Sequence, residues 1–408
     1  MSKIAVIGGG AAGLVAAYAA AANGNDVTLF EKNEKCGKKI YITGKGRCNV
    51  THDCTPAEFL NNVVNNSKFM TSSIYAFSPE DTMRFFEVGG LRLKTERGAR
   101  VFPLSDKASD VTKCLENYCK SVGVVFKFNE QVEKINNLNS TMFDIITSKQ
   151  CYSFDKVIVC TGGISYPSTG STGDGYKFAR EFGHSLVPVK QGLCGINLKG
   201  DYYKQLQGLS LKNINLTVYY GNKKLKELFG ELLFTHFGVS GPTVLSASSL
   251  INRLDLQNVR LSIDFKPALS DEQLDKRLLR DFEEYKNKSI LNCLKELLPA
   301  ALIPVMLERC GILQEKKVNL ITKNERQLLL TNVKNFDMLV SSLRGFEEAI
   351  ITAGGVDVKE INPKTMESKL VKGLYFCGEV LDIDAFTGGF NLQIAFSTGF
   401  AAGNNIKE

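Results

Sequence analysis

The chain opens on an unbroken apolar run, Ile4-Ala5-Val6-Ile7, the pattern of a strand buried on both faces. Small apolar residues over 11–23 then predict a helix, with Gly24 as its C-terminal stop. A second strand is predicted over 26–30, ending at Glu31. Polar-amphipathic helix patterns cover 56–90 and 108–121, and further strands fall at 124–128, 143–147 and 151–154. Two apolar runs, 156–160 after its leading Lys156 and 373–377, predict more buried parallel strands. Between them the period changes. Ile214, Leu216, Val218 and Tyr220 alternate with polar neighbours, as do Val259, Leu261, Ile263 and Phe265, which predicts an antiparallel barrel or sandwich. Helical spacing takes over in 270–309, where Ser270 and Gln273 form a capping-box pattern. The expected organisation is an α/β nucleotide-binding domain of residues 1–190 and 346–408. It is interrupted by a β-barrel-like domain (191–269 and 316–345) and a helical subdomain (270–315).

Gly8-Gly9-Gly10-Ala11-Ala12-Gly13 joins the first strand to the first helix. In a dinucleotide-binding turn Gly8 makes the bend and Gly10 admits a pyrophosphate. Ala11 and Ala12 begin the phosphate-facing helix, and Gly13 brings that helix onto the sheet. Glu31, followed by Lys32, lies eighteen residues past Gly13, where an acid accepts from ribose hydroxyls. A second loop holds Gly37 and Lys38, then Thr43, Gly44, Gly46, Arg47, Cys48 and Asn49, suited to phosphate or a flavin edge. Val132 starts a short extended segment, and Thr161-Gly162-Gly163 leaves the C-terminal end of a buried strand, the edge where such sheets bind ligands. Gly378 and Glu379 follow the last strand, and Gly389, Asn391 and Leu392 open the last helix. The acid suits a ribityl hydroxyl, and the helix start suits the electron-rich N1/O2 edge of a reduced isoalloxazine.

A length of 408 residues suits two or three domains. The net charge of +7 comes without a dense basic block, so it favours anionic cofactors or small substrates and makes nucleic acid an unlikely partner. Eleven cysteines lack any Cys-x-x-Cys and there are three histidines, which argues against a metal site. Cys114 and Cys119 fall on a helical pattern five residues apart, on different faces, so reduced thiols are expected. Residues 11–22 are too short to span a bilayer, and a cytoplasmic location is expected. Oligomeric state is left open.

Nearly end to end, the chain resembles the flavoprotein family labelled NAD(P)/FAD-dependent oxidoreductase or aminoacetone-oxidase-like. The residues that carry the resemblance are the first glycine turn, Thr43 to Asn49, Arg97 to Asp106, Thr161 to Tyr176, Phe234 to Pro242 and Thr365 to Gln393. It implies a Rossmann-type FAD-binding domain of the glutathione reductase type. One member class reduces steroid enones. The implied function is an FAD-dependent oxidoreductase reducing a small or steroid-like unsaturated substrate. NAD(P)H would dock transiently, since no second fingerprint is present. The alternatives are an FAD oxidase of a small amine and a flavin-containing nucleic-acid or regulatory binder. His236 and Tyr166 are the candidate proton donors, and Arg97 and Arg100 the candidate anchors for an anionic group.

Overall fold

A computed structural model describes residues 1–138 and 142–406. Two compact units divide the chain, Met1–Gly192 with Gly345–Glu408, and Leu193–Arg344. The first is built on five parallel strands: β1 (Lys3–Ile7), β2 (Asp26–Glu31), β3 (Val125–Phe128), β4 (Lys156–Val159) and β5 (Leu374–Phe376). Their order is β5-β4-β1-β2-β3. The apolar runs of β1 and β4 take the middle of the sheet, where Ile4, Val6, Val157 and Ile158 are fully buried, and the third run forms β5 at the sheet edge, where Leu374 and Phe376 are buried too.

Helix α1 (Ala11–Ala22) crosses from β1 to β2 and is buried on ten of its twelve residues. Its missing polar face follows from its setting between the sheet and α3 (Phe390–Asn404), named after the shorter α2 (Asp174–Glu181). A Cβ on Gly399 would lie 2.4 Å from the Ala12 carbonyl oxygen, and one on Gly403 2.3 Å from that of Ala16. The alanines and glycines therefore let two helix backbones touch. Leu186–Gly192 pairs antiparallel with Ile351–Val356, so the two chain segments flanking the insert meet within this unit.

The second unit is a closed six-stranded barrel. Leu216 pairs with Ile263 and Val218 with Leu261, so the alternating apolar positions share one buried face. The Ser270–Gln273 capping box is formed and starts the helix Asp271–Glu284. Leu274, Leu278 and Met306 from the helical stretch share one hydrophobic cluster with Leu216, Ile263 and Phe336 of the barrel. Residues 270–315 are thus built into the barrel core, because short amphipathic helices need a partner for their apolar stripe.

Candidate cofactor site

The first glycine turn begins where β1 ends. Gly8 has φ +103, and its N–H donates to the Phe30 carbonyl at 2.8 Å. A Cβ on Gly13 would lie 1.9 Å from the Gly8 carbonyl oxygen, whereas one on Gly10 would meet nothing within 4 Å. Packing therefore requires Gly13, while Gly10 leaves open space at the start of α1. No side chain caps that helix, so its first-turn amides are available to an anion.

Glu31 is buried at the end of β2. One carboxylate oxygen accepts from Gly9 N–H (2.8 Å) and the other from the backbone and side chain of Asn33 (2.8 and 2.7 Å). The Gly37 N–H donates to the Gly9 carbonyl at 2.9 Å, which ties the second loop to the first. Lys32 reaches Asp174 at 2.8 Å and Lys38 reaches Glu34 at 2.8 Å, so both lysines already have carboxylate partners.

Residues 43–49 turn sharply, with left-handed Gly44, Lys45, Gly46 and Cys48. The Thr43 hydroxyl donates to the Ile40 carbonyl, and burial pushes the Cys48 thiol up to about 12. Arg47, expected on phosphate or a flavin edge, has carboxylate partners. Its guanidinium pairs with Glu96 and with Asp106 (2.7 Å) and lies 4.3 Å over the Phe102 ring. Two carboxylates and an aromatic face make it a strut for this loop.

Three buried polar atoms near these turns have no hydrogen-bond partner: Asn49 Oδ1, Thr161 Oγ1 and the Tyr176 hydroxyl. Burial, with Glu379 and Asp382 nearby, drives the Tyr176 phenol far up and keeps it protonated. Thr161 leads into left-handed Gly162 and then Gly163. Val132 is buried at the start of its strand. Asp174 begins α2 behind the cap Gly173, and its carboxylate pairs with Lys32.

From the C-terminal segment, Gly378 N–H donates to the Thr398 hydroxyl at 3.0 Å. The Glu379 carboxylate pairs with Lys39 (2.7 Å) and accepts from Thr352 N–H (2.7 Å). Gly389, at φ +98, caps α3, whose start has no side-chain cap; a Cβ there would lie 2.5 Å from the Thr51 carbonyl. The Asn391 side chain is turned to the Ala385 backbone, donating at 2.9 Å and accepting at 3.0 Å. It braces the loop before α3, while Leu392 in the first turn of α3 is half-buried. Sequence reasoning missed Lys39, Thr51, His52 and Gln393. Thr51 and His52 form a two-residue strand, too short for any periodicity to reveal. Lys39 carried a weak signal, as the neighbour of Lys38.

The two candidate proton donors fall in different units. His236 is exposed at a tight turn between barrel strands, with its ring edge-on to Phe237 at 5.1 Å. Tyr166 is half-buried at a left-handed position (φ 50), and burial and Glu348 raise the pKa of its phenol. Arg97 and Arg100 flank a turn, where Arg100 Nε donates to the Arg97 carbonyl at 3.3 Å. Cys114 lies against Gly89 and Cys119 against Leu14, on different sides of their helix.

Over residues 2–405 the chain matches the family described as HI0933-like protein Rossmann domain. This chain belongs to that family. Among its relatives, the 3-dehydro-bile acid delta(4,6)-reductase of Clostridium scindens is 32% identical over all of both chains. The ribosomal RNA dihydrouridine synthase of Haemophilus influenzae is 31% identical over all of this chain and 99% of the relative. In fold, the chain is like 3-ketosteroid delta1-dehydrogenase from Sterolibacterium denitrificans (TM-score 0.53, 12% identity, covering 100% of this chain and 99% of that one). The HI0933-like chain has the FAD-binding Rossmann fold and is an FAD-dependent oxidoreductase. Open space over Gly10, two uncapped helix starts and three orphaned polar atoms fit an extended anionic cofactor. No helix among the described residues is long and apolar enough to cross a membrane.

Proposed function

We propose that this protein reduces a carbon–carbon double bond conjugated to a carbonyl, with FAD as the bound cofactor and NAD(P)H as the electron donor. The observation that carries this reading is a set of unfilled features: the space at Gly10, the uncapped start of α1, and orphaned atoms of Asn49 in the second loop, Thr161 after β4 and Tyr176 in α2. The bile-acid relative is by name a reductase of delta(4,6) double bonds in a 3-dehydro steroid, and the other makes dihydrouridine. Both changes add hydride and a proton across a double bond activated by a carbonyl.

In this reading the α1 amides around Gly10 to Gly13 hold the pyrophosphate and Glu31 holds the adenosine ribose, its orientation set by Gly9 and Asn33. Residues 43–49, braced by Arg47, border the ring system. Glu379, fixed by Lys39 and Thr352, faces ribityl hydroxyls, and the α3 start at Gly389 meets the ring edge where negative charge gathers on reduction. When bound, FAD supplies two-electron hydride transfer. Tyr166 delivers the balancing proton or polarises the carbonyl, since a phenol raised above its ordinary range is protonated at neutral pH. His236 is the second candidate for that proton.

A small steroid-like enone is the first substrate class. A uracil ring within RNA is the second, and one observation favours it. The second unit holds 22 Lys and Arg against 16 Asp and Glu, while the first holds 28 against 27. Almost all the net positive charge thus sits on the insert, as a polyanion-binding part requires. The test is anaerobic reduction of the purified flavoprotein by NADH or NADPH, followed by a 3-oxo-Δ4,6 steroid or deproteinised ribosomal RNA. Reoxidation of the flavin with a two-hydrogen mass gain in one acceptor supports the reading and identifies the substrate class. Absence of FAD from the protein, or reoxidation by neither acceptor, overturns it.

A further inference from the structure

We infer that His52 is a positioning residue for the cofactor ring, acting through the start of α3. The inference rests on the FAD placement above and adds to it a residue with no other assigned role. His52 belongs to the two-residue strand that the 43–49 loop runs into, and Nδ1 lies 3.1 Å from the Gly388 carbonyl oxygen. That carbonyl can only accept, so Nδ1 carries the hydrogen. The imidazole stacks on Phe390 at 4.5 Å with 24° between planes, and Phe390 is buried as the first residue of α3. Next to it, Thr51 donates its hydroxyl to Gln393 Oε1 at 2.6 Å, and Gln393 Nε2 donates to the Phe77 carbonyl at 3.0 Å. One short strand therefore grips Gly388, Phe390 and Gln393, and both Gly388 (φ +129) and Gly389 (φ +98) sit at positive φ.

The hydrogen bond to Gly388 sets the direction of the first α3 amides, so its loss misplaces donors aimed at the ring edge.

His52→Phe keeps a ring to stack on Phe390 and loses the donor. His52→Asn restores a donor. Thermal unfolding of the apoprotein checks the fold of each, and FAD affinity and flavin midpoint potential are the readouts. The expected result is about ten- to a hundredfold weaker FAD binding and a lower midpoint potential in His52→Phe. His52→Asn is expected to bind within about threefold of the parent, at the parent potential. Parent affinity and potential in His52→Phe overturn the inference. If His52→Phe does not fold, His52→Leu, which also lacks the donor, takes its place in the same comparison. A parent protein that takes up no FAD overturns the placement on which it rests.

Discussion

Gly10 and Gly13 lie three residues apart in one motif, yet the structure assigns them opposite failures. A Cβ at position 13 falls 1.9 Å from the Gly8 carbonyl oxygen, about 1.5 Å short of ordinary contact at 3.4 Å. The obstacle is backbone, so relief requires α1 to lift off the sheet. Overpacking of this kind costs about 1–3 kcal/mol, and a backbone obstacle puts Gly13→Ala near 3. At about 2–4 °C per kcal/mol for a unit of this size, the apoprotein melts roughly 6–12 °C lower. Gly10 sits at φ −82, ψ −170, open to any residue, and has no neighbour within 4 Å of a Cβ. Gly10→Ala therefore leaves the apoprotein as stable as the parent, or stabilises it by about 0.4–1 kcal/mol through the unfolded chain. The added methyl occupies the space a pyrophosphate needs, and FAD affinity falls at least about a hundredfold, ~2.8 kcal/mol. Differential scanning of apoprotein and FAD fluorescence titration separate the two effects. Parent FAD affinity in Gly10→Ala would refute the placement of the cofactor over this turn.

Tyr166→Phe is expected to lower kcat by about 10²–10⁴ with FAD affinity unchanged; an unchanged kcat passes the proton to another group, with His236→Gln as the next variant to assay. His184 donates from Nδ1 to Glu360 at 3.1 Å and accepts from the Ser368 hydroxyl at 2.8 Å, and burial, partly offset by Glu360, lowers its pKa below 6.5. The folded protein binds this proton less readily than the unfolded chain, so the contribution to stability is present above about pH 6.5 and is lost as pH falls below it. Urea unfolding between pH 7 and pH 5 should show that decline and His184→Gln should flatten it; identical slopes would remove His184 as the cause. Cys151 is the exposed thiol among eleven cysteines, while nine are buried and Cys54 is half-buried with its thiol pushed up to about 11. A thiol reagent at pH 8 should label one cysteine rapidly in the native protein, and Cys151→Ser should abolish that fast phase.

The sequence alone determined the central sheet and the first nucleotide turn. Unbroken apolar runs are satisfied where a parallel sheet is covered on both faces, and the spacing from Gly8 to Glu31 encodes a local βαβ unit. The alternation in 210–220 and 259–265 likewise announced antiparallel strands, since a period of two is readable within one segment. Barrel closure needed the tertiary structure, because it depends on strands more than a hundred residues apart in the chain, as in the pairing of Ile196 with Leu343. The helices of 270–315 joined that core for the same reason, their apolar stripe naming a need but not a partner. At the site, residue type pointed to Arg47 and Asn391 as ligands, and only the fold showed their polar groups turned to Glu96, Asp106 and the Ala385 backbone. His52 entered from the opposite side, silent in the sequence and decided by the chain folding back over a separation of 336 positions to bring Gly388 against it. Local motifs record what a backbone must do nearby, whereas the use of a side chain is set by what the distant chain leaves beside it.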